Sequence, residues 1–309
     1  MLSRRSFLNT TIGAGAALAT QGPHQAAAQA NRRMIVDAQI HLWKAESEDW
    51  KWVPGAQPQL PWPFTIDKAI SMMDEAGDDR AVIVPPGWPG DRNDYALEAV
   101  KQHPTRFRVM GRIPLQDPKS AALLPKWKEQ PGMLGVRVTF NNPTMLGWLS
   151  DGTADWFWPA AEKAGLPVMF LAFGELPRFA PIAERHPGLN LIIDHMGVNA
   201  VTAREKRVPA GIEQAVALAK YPNVSIKMSA SPGLSAEHYP FRDVTEHLKR
   251  VFDAYGPQRS YWGTDLTNSY AKASYRQRIS HFTEELGFLS ESDKDQVMGR
   301  GIVARLKWT

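Results

Sequence analysis

Met34-Ile35-Val36-Asp37-Ala38-Gln39-Ile40-His41-Leu42-Trp43, then a helical stretch from Ile66 to Ala76, then Ala81-Val82-Ile83-Val84, decide the fold. The first and third runs are rich in β-branched residues. The middle one carries Ile66, Ala69, Ile70 and Met73 along one helical stripe. Two strands separated by a helix pair in parallel through a crossover. Outward from this unit the pattern repeats. A helix from Tyr95 to Gln102 stops at Pro104 and leads to a strand within Arg106 to Leu115. Leu134 to Phe140, Pro167 to Ala172, Leu189 to His195, Val224 to Ser229 and Ser260 to Asp265 read as further strands. Helical patterns at Trp156 to Ala164, Leu176 to Arg185, Ala210 to Ala219, Val244 to Tyr255 and Tyr275 to Leu286 separate or follow them. Eight strands with seven helical patterns between or after them within about 250 residues predict an α/β chain closed into a (β/α)8 TIM barrel. No Gly-rich strand-to-helix turn of a dinucleotide site or P-loop is present, which counts against an open nucleotide-binding sheet.

Residues 1–30 stand apart from that pattern. Ser3-Arg4-Arg5-Ser6-Phe7-Leu8 precedes a short apolar run, Ile12 to Ala19, and the small-x-small sequence Ala28-Gln29-Ala30. This resembles a twin-arginine export signal, which implies passage through the twin-arginine machinery to a periplasm. The run is shorter than the ~20 residues of a spanning helix, so no stable membrane anchor is expected after cleavage. Residues 31–309 are then a single barrel domain. Removing the first segment takes away Arg4 and Arg5 and no acid, lowering an already small net charge of +4. Cations are dispersed among acids, so no nucleic-acid partner is expected. The absence of cysteine excludes thiolate nucleophiles, Cys-ligated zinc and redox dithiols.

In a closed parallel barrel the chemistry collects at the C-terminal strand ends. Those ends carry Gln39 and His41, Arg112, Arg137, Asp194 and His195, Lys227 and Ser229, and Asp265. Gln39 and His41, two apart on a strand, share a face, and strict alternation puts Asp37 there too, one pleat deeper, in a structural role. Arg137 should point inward, because a guanidinium buried against helices is costly without a partner, and is a candidate anchor for a substrate carboxylate. Lys227 and Ser229 are further candidates for substrate contact. Trp43 is another, at the start of a Trp- and Pro-rich loop running to Phe64 that should lie over the catalytic face. His238 is a weaker candidate in the loop after Ser229. His103, His186, His247 and His281 read as surface residues.

The ordered strand-end motifs Val36 to Trp43, Gly135-Val136-Arg137, Ile193-Asp194-His195-Met196-Gly197, Asn223 to Ser229 and Tyr261-Trp262-Gly263-Thr264-Asp265 resemble the amidohydrolase-2 branch of the amidohydrolase superfamily. Within that branch the resemblance is to hydrolases of pyrone-dicarboxylate, sulfomuconolactone and sugar lactones. It implies a hydrolase that opens a small lactone, with Asp265 as general base and His41, His195 and Gln39 at the reacting carbonyl. The sequence departs from the metal-binding pattern: Gln39 stands where the first histidine of His-x-His is usual, and no histidine lies between His103 and His186. Catalysis without a cofactor is therefore expected ahead of a single divalent ion, zinc or manganese, for which His41, His195 and Asp265 would be the ligands. A metal-dependent amidohydrolase or decarboxylase acting on a small organic acid, and a non-catalytic binder of small acids, are the alternatives.

Overall fold

The computed structural model describes residues 32–309, and the twin-arginine-like segment lies outside them. Eight parallel strands follow one another around a single sheet in sequence order. They are β1 (Val36–Ile40), β2 (Arg80–Ile83), β3 (Phe107–Gly111), β4 (Met133–Thr139), β5 (Val168–Leu171), β6 (Leu191–Ile193), β7 (Val224–Lys227) and β8 (Ser260–Tyr261). The chain beyond β8 closes the ring onto β1 through Ala38 N–H to Trp262 O at 3.2 Å and Asp265 N–H to Gln39 O at 3.0 Å. Gly263 suits that seam, since a Cβ there would crowd the backbone nitrogens of Ala38 and Gln39 at 3.2 Å.

The first crossover helix, α1 (Ile66–Ala76), begins where Thr65 accepts from the Lys68 N–H and ends at Gly77 in the left-handed region, φ 82°. Its buried stripe is Ile66, Ala69, Met73 and Ala76. On the strands, alternate side chains divide between two apolar clusters. Ile83, Val109, Val136, Phe170 and Ile226 join the helix layer, whereas Val82, Met110, Met169, Ile192 and Tyr261 fill the barrel interior. The lower interior is completed by Ile302, Leu306 and Trp308 from the C-terminal segment. Arg80 and Arg108 stack on the Trp308 ring at 5.4 and 5.3 Å.

The strands are shorter than the sequence indicated, for local reasons. β6 stops before Asp194 because His195 and Met196 take left-handed backbone conformations, φ 52° and 57°. β8 stops before the seam, and Asp265 follows with φ 42°. A 3-10 segment, Pro118–Glu129, joins β3 to β4 where no helix was expected. Its Trp127 donates to Gly135 O at 2.8 Å. The last long helical pattern splits into a helix, Tyr275–Ser280, and a π-turn, His281–Glu285. His281 is fully buried rather than at the surface, ringed by Phe241 and Phe282, while His103, His186 and His247 are half-buried.

Candidate active site

Gln39 and His41 reach the upper barrel because β1 is irregular. Its register with β2 shifts between Asp37 and Ile40, the mark of a β-bulge. Asp37 is thereby parted from Gln39 and His41 instead of sharing their face. It accepts from Thr264 N at 2.8 Å, from the Thr264 hydroxyl and from Tyr275 Oη at 2.9 Å, so its role is to pin the chain just before Asp265. Tyr275 Oη also lies 2.8 Å from Asp78 Oδ2. The hydroxyl has one proton for two carboxyls, so one acid must itself be protonated. Burial raises Asp37 to about 6 and Asp78 well above the ordinary carboxylate value.

Gln39, His41, His195 and Asp265 converge within the barrel, each at most 5 % exposed. His41 Nδ1 donates to Val84 O at 2.6 Å, which turns Nε2 toward Asp265 Oδ1 at 3.0 Å. Two lone pairs do not face each other at that distance, so a proton or a cation belongs between them. His195 Nε2 lies 3.5 Å from Asp265 Oδ2 and its Nδ1 lies 2.8 Å from Ser229 Oγ. Burial drives His195 down to about 4, against the pull of Asp265, so the ring is neutral at pH 7. Burial alone would raise Asp265, but His195, His41 and Lys227 outweigh it and hold the group below the ordinary carboxylate value. Asp265 is therefore ionised at neutral pH.

The orientation of Gln39 follows from its other neighbour. Lys227 Nζ donates to Gln39 Oε1, pairs with Asp194 Oδ1 at 2.7 Å and touches Met169 Sδ at 3.3 Å. An ammonium has only protons to give, so it takes the amide oxygen and leaves the amide NH2 facing His195 Nε2 at 3.1 Å and His41 Nε2 at 3.4 Å. Asp194 is shared with Arg137, whose Nε lies 3.1 Å from Oδ2 and whose Nη1 donates to Thr139 Oγ1 at 2.6 Å. Burial would raise Asp194, yet Lys227 and Arg137 bring it below the ordinary value.

A metal at this centre would need an oxygen or nitrogen lone pair from each neighbour. Gln39 offers N–H instead, aimed at the His195 lone pair a metal would take. Among the described residues no group of three His, Asp or Glu side chains is arranged to hold a metal ion. The residues present do not fit one while the amide keeps this orientation.

Two cavities open beside the centre. One, about 550 Å³, is reached at His41 and walled by Arg112, Arg137, Thr139, Asn142, Trp88 and the loop Val53 to Gln57. The other, about 170 Å³, is reached at His195 and is bordered by Phe173, Leu234 and Asn268. Arg137 thus points inward, as expected. Arg112 shares its wall and was passed over as a site residue, although its place at the end of β3 was a usable signal. Trp88, in Pro85-Pro86-Gly87-Trp88-Pro89-Gly90, was missed altogether. Lys227 and Trp43 line neither cavity: both are fully buried, Lys227 behind Gln39 and Trp43 against Trp88 and Phe64. Ser229 holds the His195 ring, and His238 is exposed. The long first loop does cover this face, but through Val53 to Gln57; Trp50 and Phe64 are buried and Arg92 stacks on Trp50 at 4.2 Å.

The chain is 26 % identical over 240 residues to an L-fucono-1,5-lactonase of Burkholderia ambifaria, covering 74 % of this chain and 79 % of that protein. Its fold matches an amidohydrolase of Burkholderia multivorans solved with bound zinc, TM-score 0.75 and 19 % identity over 89 % of this chain and 99 % of that one. It also matches a probable 2-pyrone-4,6-dicarboxylic acid hydrolase of Acinetobacter baumannii with citric acid bound, TM-score 0.70 and 21 % identity over 89 % and 99 %. At such identities the two structures speak for the fold alone. The family model described as amidohydrolase matches residues 36–300, and with that match spanning the whole barrel the chain belongs to the amidohydrolase family and is a hydrolase.

Proposed function

We propose that the protein hydrolyses a small lactone bearing a carboxylate, and does so without a metal. One observation carries this reading: an ionised Asp265 held between two imidazoles, beside a cavity with two arginines on one wall. The lactonase relative supports the bond broken; the arginines support the charge on the substrate. Asp194 and Thr139 occupy Nε and Nη1 of Arg137, and Asp91 takes Nε of Arg112 at 3.1 Å. That leaves Arg137 Nη2 and both Nη groups of Arg112 for an entering anion.

Asp265 Oδ2, the oxygen farther from an imidazole, takes a proton from water as the water oxygen bonds to the lactone carbonyl carbon. The oxyanion receives hydrogen bonds from His41 and the Gln39 amide. A neutral His195 that accepts from Gln39 has no Nε2 proton to give. Its part is to hold the amide, a change from the role that the sequence assigned to it. The ring C–O bond then breaks and Asp265 returns the proton to the leaving oxygen.

A panel of acidic and neutral lactones assayed in the presence of chelator tests the reading. Hydrolysis of an acidic lactone that Asp265→Asn abolishes supports it; activity lost to chelator and restored by zinc or manganese would transfer the protein to the metal-dependent alternative. We also propose twin-arginine export to the periplasm, on the strength of Arg4-Arg5 before the short apolar run. A reporter fused to residues 1–30 that is exported equally after Arg4→Lys with Arg5→Lys would contradict it.

A further inference from the structure

Gln39 presents hydrogen where a ligand would present a lone pair, and an amide, unlike an imidazole, cannot give that hydrogen up to a metal. What holds it so is buried and distant in sequence. Lys227 is fully buried, as is Asp194, and the pair sits beside Arg137, so the ammonium has no solvent to turn toward. Its contacts are Asp194, the Gln39 oxygen and the Met169 sulfur, a weak acceptor. Rotating the amide would bring NH2 against ammonium, donor against donor, with both groups desolvated.

The spacing around the amide nitrogen is telling. Gln39 Nε2, His41 Nε2, His195 Nε2 and the Asp265 oxygens lie 3.0 to 3.5 Å from one another at each neighbouring contact. Asp265 Oδ1 faces His41 Nε2 at 3.0 Å, and His41, His195 and Asp265 carry ligand-type atoms. The Gln39 amide is the neighbour among them that offers no ligand atom inward.

We propose that the Asp194–Lys227 pair locks the Gln39 amide with N–H inward, and that this lock keeps a divalent metal off the neighbouring His41, His195 and Asp265. Lys227 is thus a positioning residue acting through Gln39, and exchange of a single nitrogen for oxygen opens the metal site. The inference rests on the metal-free reading above and supplies its cause.

The test is zinc content and zinc affinity of purified wild type, Gln39→Glu and Lys227→Met, after loading with zinc and gel filtration, with folding checked by circular dichroism. Wild type should retain no stoichiometric zinc. Gln39→Glu, which keeps an oxygen on Lys227 and turns the other inward, should retain about one per chain. Lys227→Met frees the amide to rotate and should bind zinc about 10- to 100-fold more tightly than wild type, the usual reach of a residue behind the ligands. A merely structural lysine would lower stability without raising affinity. If Lys227→Met does not fold, Lys227→Gln replaces it, and Gln39→Glu decides in either case. Stoichiometric zinc on wild type, no zinc on Gln39→Glu, or a folded Lys227 variant no better than wild type would each overturn the proposal. Lactone turnover by chelated wild type is scored separately: its absence alongside the expected zinc pattern removes the lactonase reading and leaves the lock standing.

Discussion

Asp265 occupies a left-handed backbone position, φ 42°, that a non-glycine residue adopts only when its surroundings hold it there. Here the seam to Gln39 and the Asp37–Thr264 contacts hold it. Asp265→Asn keeps that shape and removes the base, so kcat should fall by about 100-fold or more with little change in KM or melting temperature. The arginines should fail differently. Arg112→Ala, or Arg137→Lys, which loses the planar fork, should raise KM for an acidic lactone by about 10- to 100-fold, the value of a charge-assisted hydrogen bond, and change it little for a neutral one. Equal KM changes on both substrates would remove the arginines from carboxylate binding. Much at this scale was legible in sequence, because Gln39, His41, Arg137, His195 and Asp265 each end a readable strand. The amide orientation of Gln39 was not, being set by Lys227, 188 residues away.

The crossover helix from Ile66 to Ala76 was read to the residue from its apolar stripe, and the Thr65 cap and Gly77 in the structure agree with it. The β1 bulge was invisible to a strict alternation and so misplaced Asp37. The π-turn after Ser280 likewise carried His281 inward against a surface assignment. Neither nitrogen of His281 has a partner, and burial lowers it to about 4. Between that value and the unfolded value of 6.5 the folded state binds fewer protons than the unfolded chain, so stability is lost as the pH falls through this window. The loss from this group amounts to about 3 kcal/mol by pH 4. His281→Leu should lie within about 1 kcal/mol of wild type at pH 7 and be the more stable protein at pH 4. Urea midpoints at the two pH values check this, and Asp37, which titrates with the opposite sign, is common to both proteins. Parallel curves for the two proteins would show that His281 does not titrate in this way.

Across the whole barrel, order, handedness of connection and strand count follow from the repeated strand–helix pattern, and residues Met34–Thr309 form one compact unit. The plug was not legible, because nothing local in Gly301 to Trp308 says that its apolar side enters the bottom of the barrel rather than the helix layer. Trp308→Ala should cost about 3 to 5 kcal/mol of stability, read as a lower melting temperature, while kcat at 25 °C stays near wild type because the plug lies at the end opposite the site. The C-terminal strand ends, by contrast, bring Asp265, the imidazoles and the arginines to one face, and the proposed reaction rests on that gathering. The most direct test of it is the initial rate of hydrolysis of a carboxylate-bearing lactone by wild type and Asp265→Asn, both in excess chelator. Turnover by wild type should be undiminished by the chelator and fall by about 100-fold or more in the variant; turnover that vanishes with chelator, or that survives Asp265→Asn, would contradict metal-free catalysis by Asp265.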